Sequence, residues 1–382
     1  MRLRFARRTT ALSLGLALAS LGWPSLRADS GPEISREAVE RNKRGLDFLR
    51  KKEYDQAVAS FKAALQIQPE YADALDNLGK ALEATGKDAE AIANLDKAIT
   101  IAPDHASAYA DKGMAFFHEG KYEEAAASYR QAIEHHKNFS EAQNGLGASL
   151  LHLGKNEEAI TAFRSSIASN PKNADALGNL GAALLTEDKA AEALPFLRKA
   201  HSLRPDLPDV LENYASALDQ TGQTHEAIAA YNKLAGNQPD QPATWAHLGY
   251  LYYKSKRYDQ AVSALGKSLA LKQDQPEVLS LLGLAQADQG QLDEAVQSYE
   301  KSLALKPDDA NVRFNYGNAL FNAGKYQDAA TQYREAVRLN PSFAHAHYNL
   351  GTALLRLDDA TSAQVEFAEA HRLDASLNPP TK

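Results

Sequence analysis

A period of 34 residues runs through most of this 382-residue sequence. In the segment 72–105, apolar residues three and four positions apart form two stripes, which are Leu75, Leu78 and Leu82, then Ile92, Leu95 and Ile99. This spacing predicts two α-helices, each with one apolar face. Gly86 separates the two stripes and Pro103 follows the second. A pair of short helices cannot bury two apolar faces alone, so the unit requires neighbours.

Three sets of residues recur at the same interval. One glycine of the first helix recurs with a single substitution, at Gly45, Gly79, Gly113, Gly147, Gly181, Ala215, Gly249, Gly283, Gly317 and Gly351. One alanine of the second helix recurs without exception from Ala57 to Ala363. A proline follows most second helices, although Lys137 and Gln273 replace it. Because all three sets of residues share one period with no insertion, they predict a stacked array of helix–turn–helix units.

The pattern resembles the tetratricopeptide repeat (TPR) family, whose unit is a helix–turn–helix of this length. The residues Trp245, Leu248, Gly249 and Tyr252, followed by Ala261, match the family pattern. The resemblance implies an all-α fold, a right-handed α-solenoid superhelix of about ten tandem TPR repeats. It also implies a protein-binding scaffold and not an enzyme.

The predicted organisation has four parts. Residues 1–28 are a signal peptide, residues 29–37 are a polar lead-in, and residues 378–382 are a C-terminal tail. The ten predicted repeats lie between them, at 38–71, 72–105, 106–139, 140–173, 174–207, 208–241, 242–275, 276–309, 310–343 and 344–377. Length alone favours two or three domains. Solenoids grow by adding units, however, so the unbroken period favours one elongated domain.

The first 28 residues have the layout of a secretory signal peptide. Arginines up to Arg8 precede an uncharged apolar run, Ala11 to Gly22, and small residues continue to Ala28. This run is shorter than the ~20 residues that a membrane-spanning helix needs. Cleavage after Gly22 or Ala28 and an uncleaved anchor both stay open. The sequence has no cysteine, which excludes a lipoprotein anchor. We therefore expect an exported protein located in the bacterial periplasm.

Charge and composition exclude several functions. The net charge is −7, and residues 1–28 carry five arginines and no acid, so the remainder is more negative still. Such a protein repels nucleic acid and anionic lipid, and neither is an expected partner. The sequence contains no phosphate-binding glycine loop, nucleophile elbow or metal-ligand spacing. We therefore expect no catalytic residue, no cofactor and no metal.

By resemblance, a partner binds along the concave side, which the first helices line. The candidate partner-binding residues are those outside the packing stripe, namely Asn77, Lys80, Phe117, Leu151, Asn179, Glu212, Asn213, Asp219, Tyr250, Tyr253, Phe314, Asn315, Asn318, Phe321, Tyr348 and Asn349. Glu212 and Asp219 lie beyond the first turn of their helix, where the helix dipole does not account for a negative charge. They favour a partner with basic or amide groups.

Five candidate asparagines share one register, at Asn77, Asn179, Asn213, Asn315 and Asn349. In the arrays of protein O-linked N-acetylglucosamine transferases, asparagines at the matching place hold the peptide backbone of the partner. An amide can donate and accept hydrogen bonds at once, which suits that task. The series is interrupted here by Asp111, Gly145, His247 and Leu281. Either asparagine is merely common at this position, or the series is a discontinuous peptide track.

Two functions stay open from the sequence. The first is a non-enzymatic scaffold of the bacterial cell envelope or secreted space, which binds a peptide or protein segment in the concave groove. The second is an accessory or targeting subunit of an enzyme such as a protein O-linked glycosyltransferase. No capping helix follows the last repeat, whose second helix holds Val365, Phe367, Ala370 and Leu373. This predicts self-association or partner docking through the C-terminal repeat.

Overall fold

The structure, a computed structural model, describes residues 34–380. These residues form twenty α-helices and no β-strand, so the all-α prediction is confirmed. The predicted signal peptide lies outside the described residues, as do most of the lead-in and the last two residues of the predicted tail.

The described chain divides into two compact units, with the boundary in the sequence between Thr221 and Gly222. The N-terminal unit contains α1 (Arg36–Arg50), α2 (Tyr54–Ile67), α3 (Ala72–Glu83), α4 (Asp88–Ile101), α5 (Ala106–His118), α6 (Tyr122–His135), α7 (Ser140–His152), α8 (Asn156–Ser169), α9 (Ala174–Thr186), α10 (Ala190–Leu203) and α11 (Pro208–Gln220). The C-terminal unit contains α12 (Thr224–Asn237), α13 (Pro242–Lys254), α14 (Tyr258–Leu271), α15 (Pro276–Asp288), α16 (Leu292–Leu305), α17 (Ala310–Asn322), α18 (Tyr326–Leu339), α19 (Ala344–Arg356) and α20 (Ala360–Leu373).

Odd-numbered helices are the first helices of their repeats and even-numbered helices are the second. In the N-terminal unit, the backbone of each first helix from α1 to α9 lies close to that of the next first helix, whereas no two second helices of the described residues bring their backbones as close together. The same holds from α13 to α19 in the C-terminal unit. Because the first helices lie closer together than the second helices, each unit curves with its first helices on the concave side.

The glycines of the first helices accommodate a large side chain that lies sixteen residues later. A Cβ atom on Gly147 would lie 2.6 Å from Cε1 of Phe163, and one on Gly181 would lie 2.3 Å from Cγ of Leu197. The aromatic or leucine side chain that lies four residues after the recurrent alanine of the second helix therefore fills the space of the missing Cβ. These alanines are themselves fully buried.

Polar side chains replace the stripe leucine at the fourth position of several first helices. Each of them contacts the carbonyl oxygen six residues earlier, at the turn between repeats. The pairs are Gln143 Nε2 with Lys137 (2.9 Å), Trp245 Nε1 with Pro239 (2.9 Å), Arg313 with Pro307 (3.3 Å) and His347 Nε2 with Pro341 (3.1 Å). The polar atom thus satisfies a turn carbonyl, while the rest of the side chain packs between repeats.

Candidate functional site

All sixteen predicted partner-binding residues lie on first helices, eight in each unit. Asn179 and Asn213 are buried, and the other fourteen are partly buried. The first helices of each unit therefore carry these side chains, and several of them are engaged with neighbouring residues.

Four predicted residues line one cavity of about 370 Å³ in the C-terminal unit, namely Asn315, Asn318, Phe321 and Asn349. Tyr299 and Tyr333 also line it, and both are almost completely buried. α17 supplies three of the four predicted residues and α19 supplies Asn349. The structure therefore brings together residues of two adjacent repeats in one concave pocket.

The amides of this cavity are held in a defined orientation. Tyr333 Oη donates to Asn318 Oδ1 at 2.7 Å, and Asn349 Nδ2 donates to the same oxygen at 2.8 Å. Within the described residues, Asn318 Nδ2 donates no hydrogen bond, and the Asn315 amide makes none at all. Burial raises the pKa of Tyr333, which keeps this phenol protonated as a donor. Amide donors and acceptors thus face the cavity unpaired.

Asparagine pairs link neighbouring first helices in both units. The later repeat donates in each pair, from Asn77 to Asn42 (3.1 Å), Asn179 to Asn144 (3.1 Å) and Asn349 to Asn318 (2.8 Å). Three residues of the predicted asparagine series therefore tie repeats together through their Nδ2 groups. Sequence reasoning missed Asn42 and Asn144, which lie one position earlier in the repeat.

The predicted aromatic residues contact other rings. Phe117 lies 5.2 Å from both Tyr122 and His152, measured between ring centroids. The other ring pairs are Phe314 with Phe343 (4.8 Å), Phe321 with Tyr326 (5.1 Å) and Tyr348 with Phe367 (5.3 Å). Tyr253 Oη donates to Asp288 Oδ2 at 3.0 Å. These residues therefore have a packing role, and Phe321 also borders the cavity.

Lys80 lies in a charged cluster on the concave side of the N-terminal unit. Asp76, Lys80 and Glu83 occupy one face of α3, since their spacing is four and three residues. Lys80 Nζ lies 3.1 Å from Asp111 Oδ2 on α5. Asp76 Oδ2 accepts a hydrogen bond from Ser107 Oγ at 2.6 Å. The sequence-based candidates included Lys80, but they omitted the three carboxylates around it.

Burial and mutual repulsion control the ionisation of this cluster. Burial, then the proximity of Asp111, raises the pKa of Glu83 to about 8. Burial raises the pKa of Asp111 to about 7, with Lys80 opposing and Asp76 adding to the rise. Burial also opposes ionisation of Asp76, but the hydrogen bond from His105 and the charge of Lys80 lower its pKa to about 2. The cluster therefore holds both a permanent anion and carboxylates that protonate near neutral pH.

The remaining observations concern metal binding, membrane-spanning helices and the last repeat. Within residues 34–380, no group of three or more histidine or acidic side chains is placed to hold a metal ion. No helix in this range is long and apolar enough to cross a membrane. In the last repeat Val365 is 65% exposed, but Phe367 and Ala370 are buried against the rest of the core. Self-association through this repeat stays a prediction.

Stacked helix pairs with the first helices on the concave side define a class of protein, the helical-repeat scaffold. Sequence models described as TPR repeat match residues 45–86, 287–324 and 317–358. Models described as tetratricopeptide repeat match residues 70–138, 110–173, 144–208, 184–246 and 220–285. The chain belongs to the tetratricopeptide repeat family. Proteins of this family are typically non-catalytic scaffolds that bind protein or peptide partners.

Solved structures with a similar fold include the C-terminal part of a TPR repeat-containing protein from Cytophaga hutchinsonii. It is 17% identical, with a TM-score of 0.52, and the match covers 60% of this chain and 95% of that one. YrrB, described as a TPR protein with an unusual peptide-binding site, is 22% identical with a TM-score of 0.46, over 48% of this chain and 95% of its own. The Cut9–Hcn1 hetero-tetramer of APC/C is 15% identical with a TM-score of 0.43, over 89% and 94%. No curated protein sequence gives a significant match.

Proposed function

We propose that this chain is a non-enzymatic scaffold that binds an extended polypeptide segment on its concave side. The main site is the cavity bordered by Asn315, Asn318, Phe321 and Asn349. The observation that carries the proposal is the presence of unpaired amide groups beside aromatic walls in this cavity. An extended peptide presents N–H and C=O groups along its length, and an asparagine amide can pair with either.

The size and chemistry of the cavity fit a short stretch of peptide. Its volume of about 370 Å³ lies within the usual range for ligand sites, roughly 300–1,000 Å³. Each added hydrogen bond contributes only about 1 kcal/mol net, so the site needs apolar contacts as well. Phe321, which is only partly buried, supplies apolar surface for partner side chains.

The same residues give little support to catalysis. Burial raises the pKa of both Tyr299 and Tyr333, so neither supplies a phenolate near neutral pH. Asp288, which also borders the cavity, accepts a hydrogen bond from Tyr253. Binding without chemistry is therefore the better account of this site.

The proposal is tested by selecting peptides from a random displayed library against the full chain and measuring their affinities. We expect the double variant Asn315→Ala/Phe321→Ala to weaken binding of the selected peptides by about tenfold or more, equivalent to ~1.4 kcal/mol. The control variant Asn311→Ala/Gln327→Ala changes two exposed residues of α17 and α18 that do not line the cavity. Failure to select any peptide, or equal affinities for both variants, would contradict the proposal.

We also propose that the protein acts in the bacterial cell envelope or secreted space. The support is the basic start, apolar run and small residues of the first 28 positions. The intact mass of the protein recovered from the envelope fraction is the test. Loss of the segment up to Gly22 or Ala28 is expected, and a full-length cytoplasmic protein would contradict export.

A further inference from the structure

We infer that the charged cluster of the N-terminal unit is a second binding site, which receives a lysine or arginine side chain of a polypeptide partner between Glu83 and Asp111. The inference deepens the proposed scaffold function because it specifies the chemistry of the partner. It does not depend on the cavity of the C-terminal unit, and the two sites can be tested separately.

Two of the three carboxylates in the cluster already have partners. Asp111 Oδ2 lies 3.1 Å from Lys80 Nζ, but within the described residues this buried oxygen accepts no hydrogen bond. Asp76 Oδ2 accepts from Ser107 Oγ at 2.6 Å and lies 3.3 Å from His105 Nε2. The second oxygen, Asp76 Oδ1, is buried and has no hydrogen-bond partner within the described residues. Lys80 and His105 thus lie against Asp111 and Asp76, and within the described residues neither of them forms an ion pair with Glu83.

Glu83 is the third carboxylate, and it is the group that requires a ligand. Its side chain is only 5% exposed, yet it makes no hydrogen bond within residues 34–380. His118 Nδ1 approaches it at 3.7 Å and is 3.8 Å from Asp88. Both distances exceed the roughly 3.2 Å limit of an N–H···O hydrogen bond. A buried carboxylate without such a bond is costly unless a cation or a proton neutralises it.

The open side of the cluster can admit a cationic group. The side chains of Lys80 and Asp111 are 23% and 17% exposed, and that of His118 is 36% exposed. A long flexible ammonium or guanidinium side chain can therefore reach Glu83 from the concave side once His118 rotates. A bare metal ion is a poorer occupant, because no group of three metal-ligating side chains converges among the described residues.

The charges that face the cluster come from every element around it. They are Asp73, Asp76, Lys80 and Glu83 on α3, Asp88 on α4, His105 before α5, Asp111 and His118 on α5, and the hydroxyl of Tyr129 on α6. Lys80 is the one permanent cation of this set. In the free protein, protons bound by Glu83 and Asp111 neutralise the excess negative charge of the cluster, since the pKa values of these two carboxyl groups are about 8 and about 7. A bound cation would replace these protons, so binding should release protons and strengthen as pH rises.

The test measures fluorescence anisotropy of a labelled oligolysine peptide and of a matched glycine–serine peptide. We expect the full chain to bind oligolysine preferentially, with affinity that rises between about pH 6 and about pH 9. The double variant Glu83→Gln/Asp111→Asn should weaken binding by about tenfold or more and remove the pH dependence. The control variant Glu123→Gln/Glu124→Gln loses the same formal charge from exposed positions on α6, and it should retain most of the affinity.

Equal losses in the two variants would overturn the inference, because long-range charge alone would then explain the binding. A pH-independent affinity in the unmodified chain would also overturn it. Since both substitutions are nearly isosteric, circular dichroism should show unchanged helix content. The variant Asn315→Ala/Phe321→Ala should bind oligolysine normally. Failure of oligolysine binding with intact binding of library peptides would therefore remove this inference and leave the proposed function standing.

Discussion

Two glycines of one repeat provide a matched test of the packing between first and second helices. Gly249 lies in α13, and a Cβ there would lie 2.5 Å from both Cγ and Cδ2 of Leu265. Gly266 lies in α14, and a Cβ there would meet nothing within 4 Å. Alanine in a helix interior is favoured over glycine by about 1 kcal/mol. We therefore expect Gly266→Ala to raise the free energy of unfolding by up to about that amount.

Gly249→Ala has the same gain in helix propensity but also overpacks the contact with Leu265. Overpacking of a filled core costs about 1–3 kcal/mol, and the upper end applies because Leu265 is fully buried and the clash involves its branching carbon. The net expectation is a loss of about 1–2 kcal/mol. The two alanine variants should thus differ by about 2–3 kcal/mol in unfolding free energy.

Urea denaturation followed by Trp245 fluorescence and by circular dichroism provides the measurement. Trp245 lies in α13, the helix that carries Gly249, so its emission reports on the altered repeat even if the array does not unfold as one unit. If both variants gain stability equally, the glycine does not make room for the large side chain of the second helix, and our account of the packing is wrong.

Three further predictions concern single positions. Glu83 has a pKa of about 8 in the folded chain, against about 4.3 in an unfolded chain. Between these pH values the folded chain keeps a proton that the unfolded chain releases, so the free energy of unfolding should fall as pH rises. Urea titrations at several pH values should show this slope, and the variant Glu83→Gln should flatten it. Tyr333→Phe removes the hydrogen bond to Asn318 and should lower stability by about 1 kcal/mol, as measured by thermal denaturation. Lys256 has a φ of 59°, a left-handed backbone conformation that is costly for a residue with a Cβ atom. Replacing it by glycine should therefore raise the free energy of unfolding by about 1 kcal/mol. An unchanged midpoint of urea denaturation would contradict this expectation.

The helices were predictable because their signal is local. Apolar spacing and the recurrent glycine and alanine registers lie within a single repeat, and the family resemblance they indicated is confirmed by the sequence models. The details of side-chain packing were harder to predict from the sequence. A one-dimensional pattern does not state which side chain fills the space beside a glycine, so the contact between Gly147 and Phe163 follows only from the structure.

The candidate sites depend on residues of different repeats, and this limits what sequence reasoning can reach. Asn318 and Asn349 were both predicted to face the groove, but their shared hydrogen bond joins two first helices. Glu83 and Asp111 lie on neighbouring helices in different repeats, so their mutual effect on ionisation follows from stacking. The i, i+4 and i+7 spacing of Asp76, Lys80 and Glu83 was the one signal that could have identified the cluster.

Site-specific photo-crosslinking tests the central claim, that the concave side formed by the first helices is the surface that binds polypeptide. A photoreactive amino acid is placed either at Asn322, which borders the cavity on α17, or at Gln327, which is exposed on α18. Each protein is then irradiated with a library-selected peptide. We predict strong cross-linking from position 322 and almost none from position 327. Equal yields, or a higher yield from position 327, would contradict the claim.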